Sequence, residues 1–248
     1  MKLYKGFCWL LVILSYFTVA TAQDRKGSSV VIVHNANEVV IAADSLTLRD
    51  GKPVATPFCK IRRSANTWFA AAGQFSIGAT NYDVYATLES AIQQAKHFEI
   101  RVSRAEREVL RTLGEAVVRR RDLRLPEPGK SIVEFAIVEA ENGIVRVSAR
   151  SIGFATDGTG RFAVSRQDLP DERSAESLIP LGERKAIEDL AGEPMKRVFR
   201  LGPTDAARFL VTLETVESDQ VAPPIDLLRI TKDGQATWIA RNSDCNVK

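Results

Sequence analysis

A hydrolase that works through a Ser-His-Asp triad needs a histidine beside its nucleophile. This chain has two, His34 in a strand-like apolar run and His97 near the end of a helical pattern. Gly73-Gln74-Phe75-Ser76-Ile77-Gly78 comes near a nucleophile elbow, but the spacing is one residue too long, and it reads as a turn opening a helix. Cys59, Cys245, His34 and His97 lack the spacing of metal ligands, so no metal site is expected. Gly158-Thr159-Gly160 is a lone GxG without the rest of a dinucleotide fingerprint and reads as a tight turn. Arg119-Arg120-Arg121, with Arg124, closes a helix where basic residues favour the dipole and face water.

Residues 27–73 carry more. They contain Gly27-Ser28-Ser29-Val30-Val31-Ile32-Val33, then Val39-Val40-Ile41-Ala42-Ala43-Asp44-Ser45, then Cys59-Lys60-Ile61, then Ala70-Ala71-Ala72-Gly73. Taken singly, Ser28 is loop chemistry before a strand, Asp44 a strand-end carboxylate before a turn, and Lys60 a surface strand residue. Together they lie sixteen positions apart in each step, behind a Gly-Ser junction.

That joint pattern resembles the proteasome β-subunit group of N-terminal-nucleophile hydrolases, which includes the bacterial HslV peptidase. Those proteins begin their mature chain with a Thr just before a buried strand, end the second strand in "AAD", and carry a Lys sixteen residues further on. Ser28, Asp44 and Lys60 match those positions without a gap, and Gly27 stands where the family cleaves itself. Gly73 matches the Gly before the first helix, with one residue fewer in the hairpin. Asp157-Gly158-Thr159-Gly160 resembles the family's Gly-Ser-Gly loop, with Thr159 at the Ser position. Pro224-Ile225-Asp226-Leu227-Leu228-Arg229-Ile230 resembles the late "G-x-Ile-Asp-Val" strand. The nucleophile position holds Ser rather than Thr, and Leu46 stands where the family often has a basic residue. The substrate-binding Thr is displaced to Thr47, with Leu48 in its place. In the late Asp-x-x-Ser-Gly segment, Ser218 or Asp219 stands in for the Asp, and Val221 and Ala222 replace Ser-Gly.

The resemblance implies a peptide-cleaving or other amide-cleaving enzyme that self-cleaves between Gly27 and Ser28. A free N-terminal Ser joins nucleophile and base in one residue: Oγ attacks while the α-amine takes its proton. An α-amine titrates near 8 unperturbed, so a useful fraction is neutral at neutral pH. A nearby Lys60 ammonium would lower that further and stabilise alkoxide character on Oγ. Asp44 would hold Lys60, and the Gly73 N–H would supply the oxyanion donor, its missing Cβ letting a carbonyl approach. Thr159 joins the catalytic set, Thr47 and Ala72 the substrate-binding strand, and Ser218 and Asp219 the support. No metal or organic cofactor is implied. A homo-oligomer is implied, because such subunits stack into rings. The alternatives are a catalytically inactive assembly or binding module on the same fold, and a small-molecule amidase.

Positioning these residues requires a sizeable core, and the composition supplies one. The chain has 248 residues, 45% hydrophobic and 26% charged, which excludes wholesale disorder, a fibre or a multi-pass membrane protein. Three cysteines exclude a disulfide-dense scaffold. Lys2 and Lys5 precede an apolar run from Phe7 to Ala20 and the small-x-small site Ala20-Thr21-Ala22, the pattern of a cleaved secretory signal. Its alternative is a retained membrane anchor. The expected organisation is a signal over 1–22, a propeptide over 23–27 and one domain over 28–248, secreted or periplasmic. Removing Lys2 and Lys5 takes the net charge from +3 to +1, so no nucleic-acid partner is expected, and no membrane after cleavage. Export also permits, without requiring, a Cys59–Cys245 disulfide.

Apolar runs paired around turns predict hairpins over 30–43, 58–72, 132–148 and 225–240. Helical periodicity covers 82–95, and Ser103-Arg104-Ala105-Glu106 reads as a capping box opening a second helix. A weaker helix is expected over 183–190 and a better one over 204–216, while 166–200 is otherwise polar and unreadable. Strands apolar on both faces need cover on both. The economical solution is an α+β fold, a four-layer α-β-β-α sandwich of two antiparallel sheets, which is also the family's fold.

Overall fold

The computed structural model describes residues 25–26, 28–170 and 176–245. The expected signal segment and Gly27 lie outside the described residues. In chain order the strands are β1 (Arg25–Lys26), β2 (Ser29–Asn35), β3 (Glu38–Asp44), β4 (Leu48–Arg49), β5 (Lys52–Pro53), β6 (Ile61–Ser64) and β7 (Thr67–Gly73). Helices α1 (Val84–Gln93) and α2 (Phe98–Arg119) follow, then β8 (Ser131–Glu141), β9 (Ile144–Phe154), β10 (Phe162–Leu169) and β11 (Glu176–Gly182). Helices α3 (Lys185–Glu188), α4 (Glu193–Phe199) and α5 (Pro203–Glu217) precede β12 (Ile225–Thr231) and β13 (Ala236–Ala240). No helix among the described residues is long and apolar enough to cross a membrane.

Two five-stranded antiparallel sheets form the middle of the molecule, ordered β11-β2-β3-β12-β13 and β10-β9-β8-β7-β6. Strand alternation assigns the faces. Val30, Ile32, Ile41 and Ala43 point between the sheets, against Ala70, Ala72, Ala136 and Val138. Val31, Val33, Val40 and Ala42 point the other way, under Ala207, Leu210 and Val211 of α5. On the second sheet Phe69, Ala71, Phe135 and Ile137 face Tyr85 and Leu88 of α1 and Val102, Val109 and Leu113 of α2. The four-layer sandwich is therefore dictated by strands buried on both faces, each Val or Ile contributing about 1.5–3 kcal/mol on burial.

Two local expectations are corrected. Helix α2 starts at Phe98, not at the Ser103 capping box, because Phe98 and Val102 are core residues that the earlier turn must bury. Glu106 is accordingly engaged by Arg150 and Arg166. Much of 166–200 is regular: it holds the second half of β10, the edge strand β11, and two short helices.

Candidate active site

The end of β3, the start of β2 and the approach to β6 converge on one buried ion pair. Lys60 Nζ donates to Asp44 Oδ1 at 2.7 Å, and both side chains are 0% exposed. Asp44 is held by the backbone as well. Ser29 N–H donates to Oδ1 at 2.8 Å and Leu46 N–H to Oδ2 at 3.0 Å, with Ala222 N–H at 3.4 Å from Oδ2. Burial pulls the Lys60 ammonium below the usual lysine range; Asp44 opposes that by charge and hydrogen bond, and Asp226 opposes it by charge alone. Lys60 is thus an interior residue, which overturns the single-residue reading of a surface position.

Asp226 is the second buried carboxylate of this layer. Its oxygens accept from Asn242 N–H at 2.7 Å, Asn242 Nδ2 at 2.6 Å and Ser45 Oγ at 3.4 Å. Burial still pushes its carboxyl up. Cys59, directly before Lys60, is disulfide-bonded to Cys245, with Cα atoms 4.9 Å apart. The fold makes this bond by bringing the turn at 243–245 beside β6. Cys59, Asp226 and Cys245 are close enough to suggest a metal triad, but disulfide sulfurs offer no thiolate to a cation.

Ser28 sits just before β2, one residue from the Asp44 contact. It is 2% exposed, and its Oγ has no hydrogen-bond partner among the described residues. Its φ is 127°, a region that non-glycine residues occupy at a cost of about 1–3 kcal/mol. Ser28 lies at the wall of a cleft of about 610 Å³, with Gly73, Gln74 and Glu134 among the other lining residues.

Gly73, the last residue of β7, lines the cleft, and its lack of a Cβ has a steric cause. Its φ is +87°, and a Cβ there would lie 2.5 Å from the Ile132 carbonyl oxygen. Thr159 is not brought to this cleft: it occupies the exposed β9–β10 turn, where its hydroxyl donates to Asp157 Oδ1 at 2.6 Å. Ala72 packs in the core between the sheets. Thr47 is buried and outside the cleft lining, its carbonyl accepting from Val54 N–H at 2.8 Å. Ser218 Oγ accepts from Gln220 N–H at 3.2 Å, and Asp219 is exposed; the segment reaches Asp44 through Ala222 instead.

The residues the sequence reading missed come from β8 and the end of β11. Glu134, 2% exposed, accepts from Gly182 N–H at 2.5 Å, Arg184 Nη2 at 2.6 Å and Ser131 Oγ at 2.9 Å. Glu183 N–H donates to the Ser28 carbonyl at 3.0 Å. The available signal was Glu134 itself, a lone carboxylate inside the apolar run Ile132–Val138.

Gly182 seals this contact. Its φ is +79°, and a Cβ there would fall 2.0 Å from the Ser28 carbonyl oxygen and 2.9 Å from Ala72 Cβ. Gly182→Ala is expected to cost at least about 2 kcal/mol through backbone strain and overpacking. The urea midpoint of the variant measures this, and an unchanged midpoint would show that β11 can withdraw from Ser28 freely.

The sequence matches no family model and no curated protein. Among solved structures the chain is similar to Thiobacillus denitrificans BPH in complex with epoxomicin, at 19% identity and a TM-score of 0.46, covering 82% of this chain and 98% of that one.

Proposed function

We propose that the chain is an exported N-terminal-nucleophile hydrolase that cleaves amide bonds, with peptides as its first substrate class. Ser28 is the nucleophile, released when the Gly27–Ser28 bond is cut. The observation that carries this reading is the state of Ser28: a buried hydroxyl with no partner among the described residues, at a cleft wall, one residue from a fully buried Asp–Lys pair. Buried hydroxyls ordinarily find a partner. Ser29, Thr47 and Ser64 also hold buried hydroxyls without a partner among the described residues; what supports a chemical role for Ser28 is that its hydroxyl also stands at the cleft wall beside the charge pair.

The backbone strain at Ser28 supports the processing step. The angle φ is defined by the carbonyl of the preceding residue, so cutting the Gly27–Ser28 bond abolishes the constraint together with the strain. In the released form the α-amine accepts the Oγ proton as the hydroxyl attacks the substrate carbonyl, and the Gly73 N–H receives the developing oxyanion. The α-ammonium then gives its proton to the substrate nitrogen as the C–N bond breaks and the amine product leaves, forming the acyl-Ser28 ester. Water, deprotonated by the freed α-amine, attacks that ester, and the amine returns the proton to Oγ as the acid product departs. Lys60 biases the amine toward its neutral form by adding positive charge nearby, and Asp44 fixes Lys60.

Intact mass of the exported protein tests the proposal. Wild type is expected to begin at Ser28, giving a chain of 221 residues, whereas Ser28→Ala retains 23–27. If both proteins start at the same residue, Ser28 does not cut its own junction. If wild type starts at residue 23, the α-amine of Ser28 stays in a peptide bond, and a non-catalytic module on this fold replaces the enzyme.

A further inference from the structure

A second cleft, of about 420 Å³, opens where the two sheets part between the edge strands β6 and β13. It shares no lining residue with the Ser28 cleft. Two tryptophans form its floor: Trp68 and Trp238, one from each sheet, meet edge to face with centroids 5.9 Å apart. An arginine is stacked on each. Arg63 Cζ lies 5.4 Å from the Trp68 centroid and Arg241 Cζ 5.1 Å from that of Trp238. Arg62 lines the same cleft.

The arginines of this cleft meet no carboxylate among the described residues. Elsewhere Arg101, Arg150, Arg166, Arg184 and Arg229 each meet an acidic side chain. The described lining of this cleft contains no Asp or Glu, and among the described residues Arg62, Arg63 and Arg241 form no ion pair. Their hydrogen bonds go to backbone carbonyls: Arg62 Nε to Cys59, Arg63 Nε to Ala65, and Arg241 through both Nε and Nη2 to Cys245, which leaves Arg241 its Nη1 edge. These contacts orient each fork without neutralising it. Guanidinium edges held over aromatic faces, with donors left to the cleft, match the planar oxygen pairs of carboxylates and phosphates. The volume suits a small molecule.

We propose that this cleft binds a small polyvalent oxyanion, a molecule bearing two or more carboxylate or phosphate groups, gripped by Arg63 from one sheet and Arg241 from the other. The inference is independent of the chemistry proposed for Ser28.

Tryptophan emission reads the site directly, because Trp68 and Trp238 are the only tryptophans of the chain beyond Trp9. The full chain would be titrated at low ionic strength with inorganic pyrophosphate and, separately, with citrate. A saturable change with at least one of them is expected, and whichever binds more tightly separates a phosphate-bearing ligand from a polycarboxylate. Arg63→Gln/Arg241→Gln should weaken binding by about tenfold or more, the scale of losing charge-assisted hydrogen bonds. Arg119→Gln/Arg121→Gln removes the same charge from another surface and should change affinity less than about twofold, as rim charges act mainly through screened long-range attraction. Arg63 and Arg241 are both exposed, so the first variant should melt with wild type. If it does not, Arg63→Lys/Arg241→Lys keeps the charge while losing the fork and should still weaken binding. No saturable response to either anion up to about ten millimolar, weaker than any useful site, overturns the proposal. So does an equal loss in the Arg119/Arg121 variant, or wild-type affinity in both cleft variants.

Discussion

Lys60→Met is expected to cut amide hydrolysis by about two orders of magnitude or more, the usual scale for losing one acid–base or electrostatic element. The substitution removes charge from a position with no exposure and leaves a stem of similar volume, so packing changes little. Asp44 loses its ammonium partner but keeps the Ser29 and Leu46 N–H donors, so the variant should stay folded at assay temperature. What disappears is the positive charge that biases the Ser28 amine. Lys60→Arg should not rescue turnover, because a planar fork is larger than the point charge this closed site accommodates. The measurement is kcat/KM over a panel of short amide substrates, on protein whose N-terminus has been verified, with the melting curve recorded alongside. Wild-type turnover by folded Lys60→Met would take Lys60 out of the mechanism. No turnover by correctly processed wild type on any substrate would favour the non-catalytic module.

The parts of this architecture that the sequence makes legible are those whose signals are local. Strands β2 and β3 are apolar on both faces because one face meets α5 and the other meets the second sheet, and a run such as Val30 to Val33 has no other use. Strand β10 is the opposite case. It is an edge strand, mostly exposed, with Leu169 as its buried residue, so its second half, 166–169, is polar and carries no readable pattern. The capping-box residues misplaced the start of α2 because tertiary burial of Phe98 outweighs a local cap worth about 1 kcal/mol.

The candidate site divides the same way. Ser28, Asp44 and Lys60 lie on adjoining elements at fixed spacing, and the structure joins the latter two and sets Ser28 beside them. Gly182 and Glu134 meet across 48 residues of sequence, and neither carries a motif. Thr159 drew attention because two glycines flank it, yet that turn closes on Asp157. A glycine with charged neighbours, Gly182-Glu183-Arg184, supplies the backbone that meets Ser28.

Asp44→Asn is expected to cost about 3–5 kcal/mol of stability, the cost of stripping one partner from a buried ion pair, and adding Lys60→Met should recover part of it. Asp44 offers acceptors at both oxygens: Oδ1 to Ser29 N–H and Lys60, Oδ2 to Leu46 N–H. An Asn side chain has one acceptor and one donor end, so its NH₂ must face a backbone N–H whichever way it turns. Lys60 then keeps a buried charge with Asp226 as the next carboxylate, and Asp226 is already engaged by Asn242. Met at position 60 removes that orphaned charge, so the double variant should be more stable than the sum of single losses, with a coupling of about 1–3 kcal/mol. Urea midpoints of the four proteins close the cycle. Additive losses would mean that Lys60 finds water when Asp44 is gone. The pH dependence gives an independent check. In Asp44→Asn the folded state holds the Lys60 proton less tightly than the unfolded chain, whose lysine titrates near 10.4. The unfolded state therefore binds more protons, and the stability of Asp44→Asn should rise from neutral pH toward that value. The double variant, with no lysine at position 60, should lack that rise.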